Sequence, residues 1–320
     1  MIFKFDEKKT TNTFFLSIIL IYIFYIIYKL NYYISVPDEI NYLLNGLFLL
    51  EGIKPHYSHA PSSFITWISF FKVLLELFFS YLLNFIQIIS SSDFFFNQTN
   101  LIITNHYQDL SNLRSIVFFF HIIILIITIG LINNLEINNF QKIIFTLLLF
   151  SSPLFLYTIS LTLPNFTGWS FLIISFILAQ KKKTNLVIIA ICLGIAASNR
   201  LELILSCPFI YFYLFDNKKA NFKDALIFLF YVFIIFILLA PWFIGDLYAN
   251  IKTLTSYFFN NFSSSSFFNF GNDISFKYEK FIYLNSLFIF ILYLLKSIIE
   301  KKNTYSSKYL FLLNIFYLLS

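Results

Sequence analysis

The chain has 320 residues, of which 59% are hydrophobic and 22% aromatic, and only 12% are charged against the roughly 25% of an ordinary soluble domain. Its net charge of +6 is set by 22 basic residues, all lysine except Arg114 and Arg200, against 16 acidic ones. The lysines gather in short segments between apolar runs rather than on one face, a topology signal that makes no case for nucleic acid as a partner. Composition thus excludes a large soluble domain and implies an all-α, polytopic membrane bundle, with residues 1–320 as one transmembrane domain. Cys192 and Cys207 lie inside apolar stretches without metal-ligand or disulfide spacing.

The first apolar run, Phe14 to Ile34, follows the charged start MIFKFDEKK. It is longer than a signal-peptide core and no small-residue cleavage site follows, so it is expected to be a retained anchor. Residues from about 35 to 112 form a first outer loop. Within it Pro37 ends the exit from the span, and Asp38 and Glu39 occupy the first turn of an amphipathic segment running to Glu51. Ser63 to Ile89 is greasy enough to cross, yet Lys72 and Glu76 stand one helical turn apart, which suits a helix at the interface and reads as an ordinary surface pair. Clear spans follow at Leu113 to Ile132, Ile143 to Ser160, Phe166 to Gln180, Ala225 to Phe243 and Phe281 to Ile299. Leu186 to Phe215 is one apolar stretch of 30 residues, broken in the middle by SNRLE. The stretch from Trp242 to Lys280 reads equally as a lid facing an acceptor or as a plain outer loop. The last apolar run stops after about 12 residues, too few to span, as if truncated or continued in longer relatives.

The positive-inside rule decides the two ambiguous segments. It places Lys4, Lys8 and Lys9, the triplet at 181–183, Lys218, Lys219 and Lys223, and Lys301 and Lys302 on one side, which requires an even number of crossings between successive groups. That holds if Ser63 to Ile89 stays on the outer surface and Leu186 to Phe215 is two short helices meeting at SNRLE. Asp38, Glu39, His59, Arg114, Asn165, Arg200 and Trp242 then all fall at or just beneath the non-cytoplasmic face. Each half of the broken segment is only about 20 Å long, so its turn sits below the outer surface, where irregular backbone survives if buried in protein or lining a wet cavity.

Two readings stand for Asp38 and Glu39: a helix cap with favourable charge at the N-terminus, or a functional pair, since carboxylates at a membrane are costly to keep. Arg200 is set at depth, and Glu202, two residues on, points to a different helix face, so Arg200 is either an interhelical ion-pair member or an anion ligand. Arg114 at the outer end of a span is suited to snorkelling towards lipid headgroups. His56 and His59 sit in a loop, and His121, alone on a span, is expected to make an interhelical hydrogen bond. Asn165 is either an N-cap of its span or a substrate contact.

Several stretches together resemble the polyprenyl-phosphate-sugar-dependent glycosyltransferases of the GT-C class, the family of protein O-mannosyltransferases and aminoarabinose transferases. The stretch SVPDEINYLLNGLFLLEGIKPHYSHAP carries the acidic pair Asp38–Glu39, a short helix ending at Glu51-Gly52, then Tyr57, His59 and Pro61. NLRSIVFFFHIIILIITIGLI is similar to that family's second span, SSPLFLYTISLTLPNFTGW to its third-to-fourth turn, LGIAASNRLELI to its broken fifth segment and LLAPWFI to its Pro-Trp exit. The resemblance covers roughly Ile21 to Phe243 and implies a membrane enzyme of the bacterial cell (inner) membrane, its site facing the periplasm or exterior. It implies a single inverting displacement with Asp38 as general base and Glu39 orienting the acceptor or a metal. Arg200, His59 and Arg114 would stabilise the donor phosphate, and Tyr57, Asn165, Glu202 and Trp242 would contact substrate. The partners so implied are a polyprenyl-phosphate sugar donor, a lipid, glycan or protein acceptor, and membrane lipid. Two departures, Asn165 where the family commonly carries Asp and Ser58 where some relatives carry a carboxylate, leave open whether Mg2+ or Mn2+ joins the site. A transporter or flippase is the competing class, because a broken helix with buried charge also suits it. A non-catalytic assembly protein with a decayed site is the third.

Overall fold

The computed structural model describes residues 7–30, 37–50, 52, 54–55, 62–86, 93–150, 159, 164–181, 185–216, 220–221, 223–253 and 256. Among them every regular element is helical. The long helices are α1 (Glu7–Leu30), α2 (Pro37–Leu50), α3 (Ser63–Ile86), α4 (Asp93–Asn133), α5 (Asn139–Phe150) and α6 (Pro164–Gln180). They are followed by α7 (Leu186–Asn199), a 3-10 turn at Leu201–Leu205, α8 (Ser206–Asp216), α9 (Asp224–Leu239) and the short α10 (Pro241–Gly245). The expected span at Phe281 to Ile299 and most of the stretch up to Lys280 lie outside the described residues.

Among the described residues, two stretches are long and apolar enough to cross a bilayer, Thr11–Tyr28 with 18 residues and Asn112–Asn133 with 22. On α1 the buried positions Phe15, Ile18, Tyr22 and Ile26 follow helical spacing and face α4 and α5, while Leu16, Ile21 and Phe24 stay exposed. The same division marks α9, where Phe228, Val232 and Phe236 are buried and Leu226, Phe230 and Leu238 are exposed. The predicted span at Leu113 is the second half of a helix that begins at Asp93. Its 41 residues amount to about 60 Å, twice the thickness of a hydrocarbon core, so part of the outer loop is a continuous helical extension of the span.

Lys72 differs from its expected role. Its side chain is only 8% exposed, with Nζ 2.9 Å from Glu76 Oε1, whose side chain is 39% exposed. The pair therefore reaches from a buried side of α3 towards the surface rather than lying on it. Below it, Gly46 of α2 crosses α3 so closely that a Cβ would fall 2.3 Å from the backbone nitrogen of Phe70.

The centre of the second half is α7, sandwiched between α6 and α9. Ile189 and Ala190, early in α7, share a cluster with Phe228 early in α9, whereas Ala197 packs with Phe236 and Ala240 at the far end. The two helices thus run side by side in the same direction, and α8 brings the chain back between them. Tyr213 of α8 lies 5.9 Å from Phe176 near the end of α6, and the Tyr211 hydroxyl donates to the carbonyl of Asn221. Lys181 at the end of α6 and Lys223 at the start of α9 consequently lie at one end of the bundle. Gly194 sets the spacing: a Cβ there would sit 2.7 Å from Cβ of Ile235. Gly194→Ala is expected to lower stability by about 1–3 kcal/mol, whereas Gly130→Ala on α4, where a Cβ meets nothing within 4 Å, should be neutral or mildly stabilising; thermal melting of the two variants checks this.

Candidate functional site

The break in the 186–215 stretch falls at Arg200. Asn185 caps the start of α7, its side chain accepting from the N–H groups of Val187 and Ile188 at 3.0 and 3.3 Å. At the other end Arg200 donates its N–H to Ala196 O, then leaves the helix with φ −138° and ψ 104°. The chain re-enters helix with Pro208 in the first turn of α8, where its missing N–H costs nothing.

The Arg200 side chain lies across Gly168 of α6, where a Cβ would come within 3.1 Å of its Cγ. This close approach carries the guanidinium to the first turn of α6, where Nη1 donates to Asn165 Oδ1 at 2.5 Å. Both side chains are half-buried. An amide oxygen orients a guanidinium without cancelling its charge, and a planar, fixed guanidinium is suited to binding phosphate or carboxylate through two N–H groups.

Asn199, fully buried beside Arg200, joins α7 to α3. Its Nδ2 donates to Ile195 O at 2.8 Å, and its Oδ1 accepts the N–H of Phe64 at 3.2 Å. Phe64 is the second residue of α3, so its N–H is one of the four that a helix cannot satisfy internally. Ser198 donates to Ile195 O at 2.9 Å and pairs with Ser63 at 2.7 Å. One residue pair of α7 therefore holds the start of α3, the helix that follows the Tyr57–Pro61 segment in sequence. On the opposite side Trp67 of α3 donates Nε1–H to the last carbonyl of α9, Leu239 O, at 2.8 Å. The Trp67 ring lies 6.1 Å from that of Trp242, which is buried with Ala197 and Phe243 next to Leu201. Lys54 pairs with Asp246, tying the segment before α3 to the chain just after α10.

Among the residues singled out from the sequence, Asn165 and Arg200 are thus in contact, and Trp242 packs beside the same break. Arg114 joins that end of the bundle through Leu113, which packs with Ile65 at the start of α3. Its guanidinium stands 5.3 Å over the Phe118 ring, a contact inside the protein rather than a reach towards headgroups. His121 makes the expected interhelical contact, Nδ1 lying 3.2 Å from Ile159 O, with its ring 4.4 Å from that of Phe166. Asp38 and Glu39 fall in the first turn of α2; their side chains lie outside the described residues, as do Tyr57, His56, His59 and the side chain of Glu202. Among the described residues, no group of three or more His, Cys, Asp or Glu side chains is placed to hold a metal ion. Ser63, Trp67, Gly168, Ser198 and Asn199 were not singled out from the sequence. The signal available for two of them was a Ser-Asn pair inside an otherwise apolar run.

No family model, curated protein or solved structure matches this chain.

The junction makes its own prediction. Asn199→Ala removes two hydrogen bonds and strands a part-buried N–H of α3, which should cost about 2–3 kcal/mol, while Trp67→Phe, losing one donor and keeping most of the ring, should cost about 1–2 kcal/mol; denaturation of the two variants measures both.

Proposed function

We propose that this chain is a multi-pass membrane glycosyltransferase that takes a sugar from a polyprenyl-phosphate donor and passes it to an acceptor on the non-cytoplasmic face of the cell membrane. The observation that carries the reading is the half-buried Arg200 at a helix break, oriented by Asn165 and flanked by Trp242 and the start of α3. The wide exposed apolar faces of α1, α3, α4 and α9, among them Phe24, Phe78, Phe119 and Phe230, support placement in a bilayer. The lysine-bearing loops at one end of the α6–α9 group and the Arg200 site at the other support the proposed sidedness.

In this reading the acceptor oxygen attacks the anomeric carbon as the bond from that carbon to the phosphate oxygen breaks, inverting the centre. The acceptor proton passes to Asp38, and Glu39 orients the acceptor or a divalent cation. Arg200, His59 and Arg114 stabilise the charge that grows on the leaving lipid phosphate, and Tyr57, Asn165, Glu202 and Trp242 shape the substrate pocket. A site at the bilayer surface fits both partners, because the donor arrives through lipid and a polar acceptor through water. The backbone break at Arg200 also suits a transporter, in which irregular backbone at depth lines a substrate path.

Transfer of labelled sugar from a polyprenyl-phosphate donor by purified protein, set beside uptake into sealed vesicles, separates the two classes. Transferase activity should fall by about 100-fold or more in Asp38→Asn, which keeps the capping oxygen and loses proton acceptance. Arg200→Lys should retain more activity than Arg200→Ala and less than the parent, since it keeps charge but not the planar fork. Uptake without transfer, or a silent Asp38→Asn, contradicts the transferase reading. Cysteines placed at 182 and 222 should both be unreactive to an impermeant reagent added outside intact cells; labelling of either overturns the sidedness.

A further inference from the structure

A second feature runs along the length of α8, from its first turn to the end remote from Arg200. Between α8 and α9 runs an open groove of about 230 Å³ lined by apolar atoms, with Pro208, Phe212 and Phe215 on one wall and Ala225 and Leu229 on the other. Pro208, Phe212, Phe215 and Leu229 are exposed, so the groove faces outwards. An apolar groove offers water no hydrogen-bond partners, so an apolar occupant is favoured over water. Its end is polar: Tyr211, whose ring lines the groove, turns its hydroxyl to the carbonyl of Asn221, and the 220–223 turn ends in the exposed Lys223, two residues before Ala225. Asp224 beside it is half-buried and accepts the Asn221 N–H through Oδ2 at 2.9 Å, whereas Lys223 is exposed and is the cation of this turn among the described residues.

We infer that this groove holds one acyl chain of an anionic phospholipid, with Lys223 against the headgroup phosphate. A hydrocarbon slot ending at a cation matches the shape and charge order of such a lipid, and the lysine-bearing end of the bundle is where the positive-inside rule places the anionic leaflet. The donor of the proposed reaction is a poorer occupant, since its phosphate belongs at Arg200, the length of α8 away. The inference rests on the proposed membrane placement and not on the transfer chemistry.

Native mass spectrometry of the purified full chain in a neutral detergent, titrated with phosphatidylglycerol or phosphatidylcholine, tests it. The parent should retain one phosphatidylglycerol about fivefold more readily than phosphatidylcholine. Lys223→Gln should abolish that preference while leaving phosphatidylcholine retention unchanged, and Ala225→Leu, which fills the slot, should reduce retention of both lipids. If Ala225→Leu does not fold, Leu229→Trp at an exposed position fills the same groove. Unchanged preference in Lys223→Gln, unchanged retention in the filled variant, or a lipid-free dimer through this face overturns the inference. Carbonate washing separates its failure from that of the placement: release of the chain from membranes sinks both, whereas retention with equal lipid binding by all variants sinks this inference alone.

Discussion

Helix ends carry N–H and C=O groups with no partner in their own helix, and in this fold side chains from other helices supply the missing partners. Lys142 Nζ donates to the last carbonyl of α4 at Asn133, while the Tyr22 hydroxyl ties α1 to α5 by donating to the carbonyl of Phe150. Trp67 serves Leu239, Asn250 serves Phe243, and Asn199 accepts from the orphan N–H of Phe64. Where the surroundings are hydrocarbon, water is not available to these groups, and each one left unmade costs about 1–3 kcal/mol against a net gain near 1 when it is made. The asymmetry means these contacts matter less as added stability than as constraints on which helix ends can meet. They place the breaks at Arg200 and Ala240 beside the start of α3.

That constraint works only because the helices approach closely. Gly46 lets α2 cross α3, Gly194 lets α7 lie along α9, and Gly168 gives the Arg200 side chain a bed on α6. A side chain at any of the three would push apart elements whose ends must stay within hydrogen-bond reach. Packing through small residues and capping across helices are therefore one arrangement, and its product is a guanidinium fixed at a helix break with an amide at its tip.

Much of this was legible in the sequence. Long apolar runs gave the helices, and the polar SNRLE interruption inside such a run gave the break, because a run too polar in its middle cannot continue as a buried helix. The span expected to run to Phe243 instead stops at Leu239, because Pro241 supplies no N–H to continue the ladder and starts the short α10. What the sequence concealed were matters of tertiary partnership. Asn199 is one polar residue among many in an Asn-rich chain, and only folding reveals that its oxygen serves Phe64. Lys72 has the spacing of a surface pair, and its burial is a product of tertiary packing that spacing does not reveal. Arg114 has the position of a snorkelling residue, and Phe118 one turn on offers it a nearer contact. Asn165 was foreseen as a candidate, but not as the partner that aims Arg200. For Asp38, Glu39 and His59 the described residues add the helix that carries the first two and nothing about their side chains.

The chemical account thus hangs on Arg200 holding the phosphate of a lipid-linked sugar. The most direct measurement is an experimental structure of the full chain with a non-hydrolysable polyprenyl-phosphate sugar bound. The account predicts a phosphate oxygen about 2.7–2.9 Å from the Arg200 guanidinium, with the sugar turned towards the first turn of α2. A phosphate held elsewhere, with Arg200 still engaged only within the protein, would contradict it.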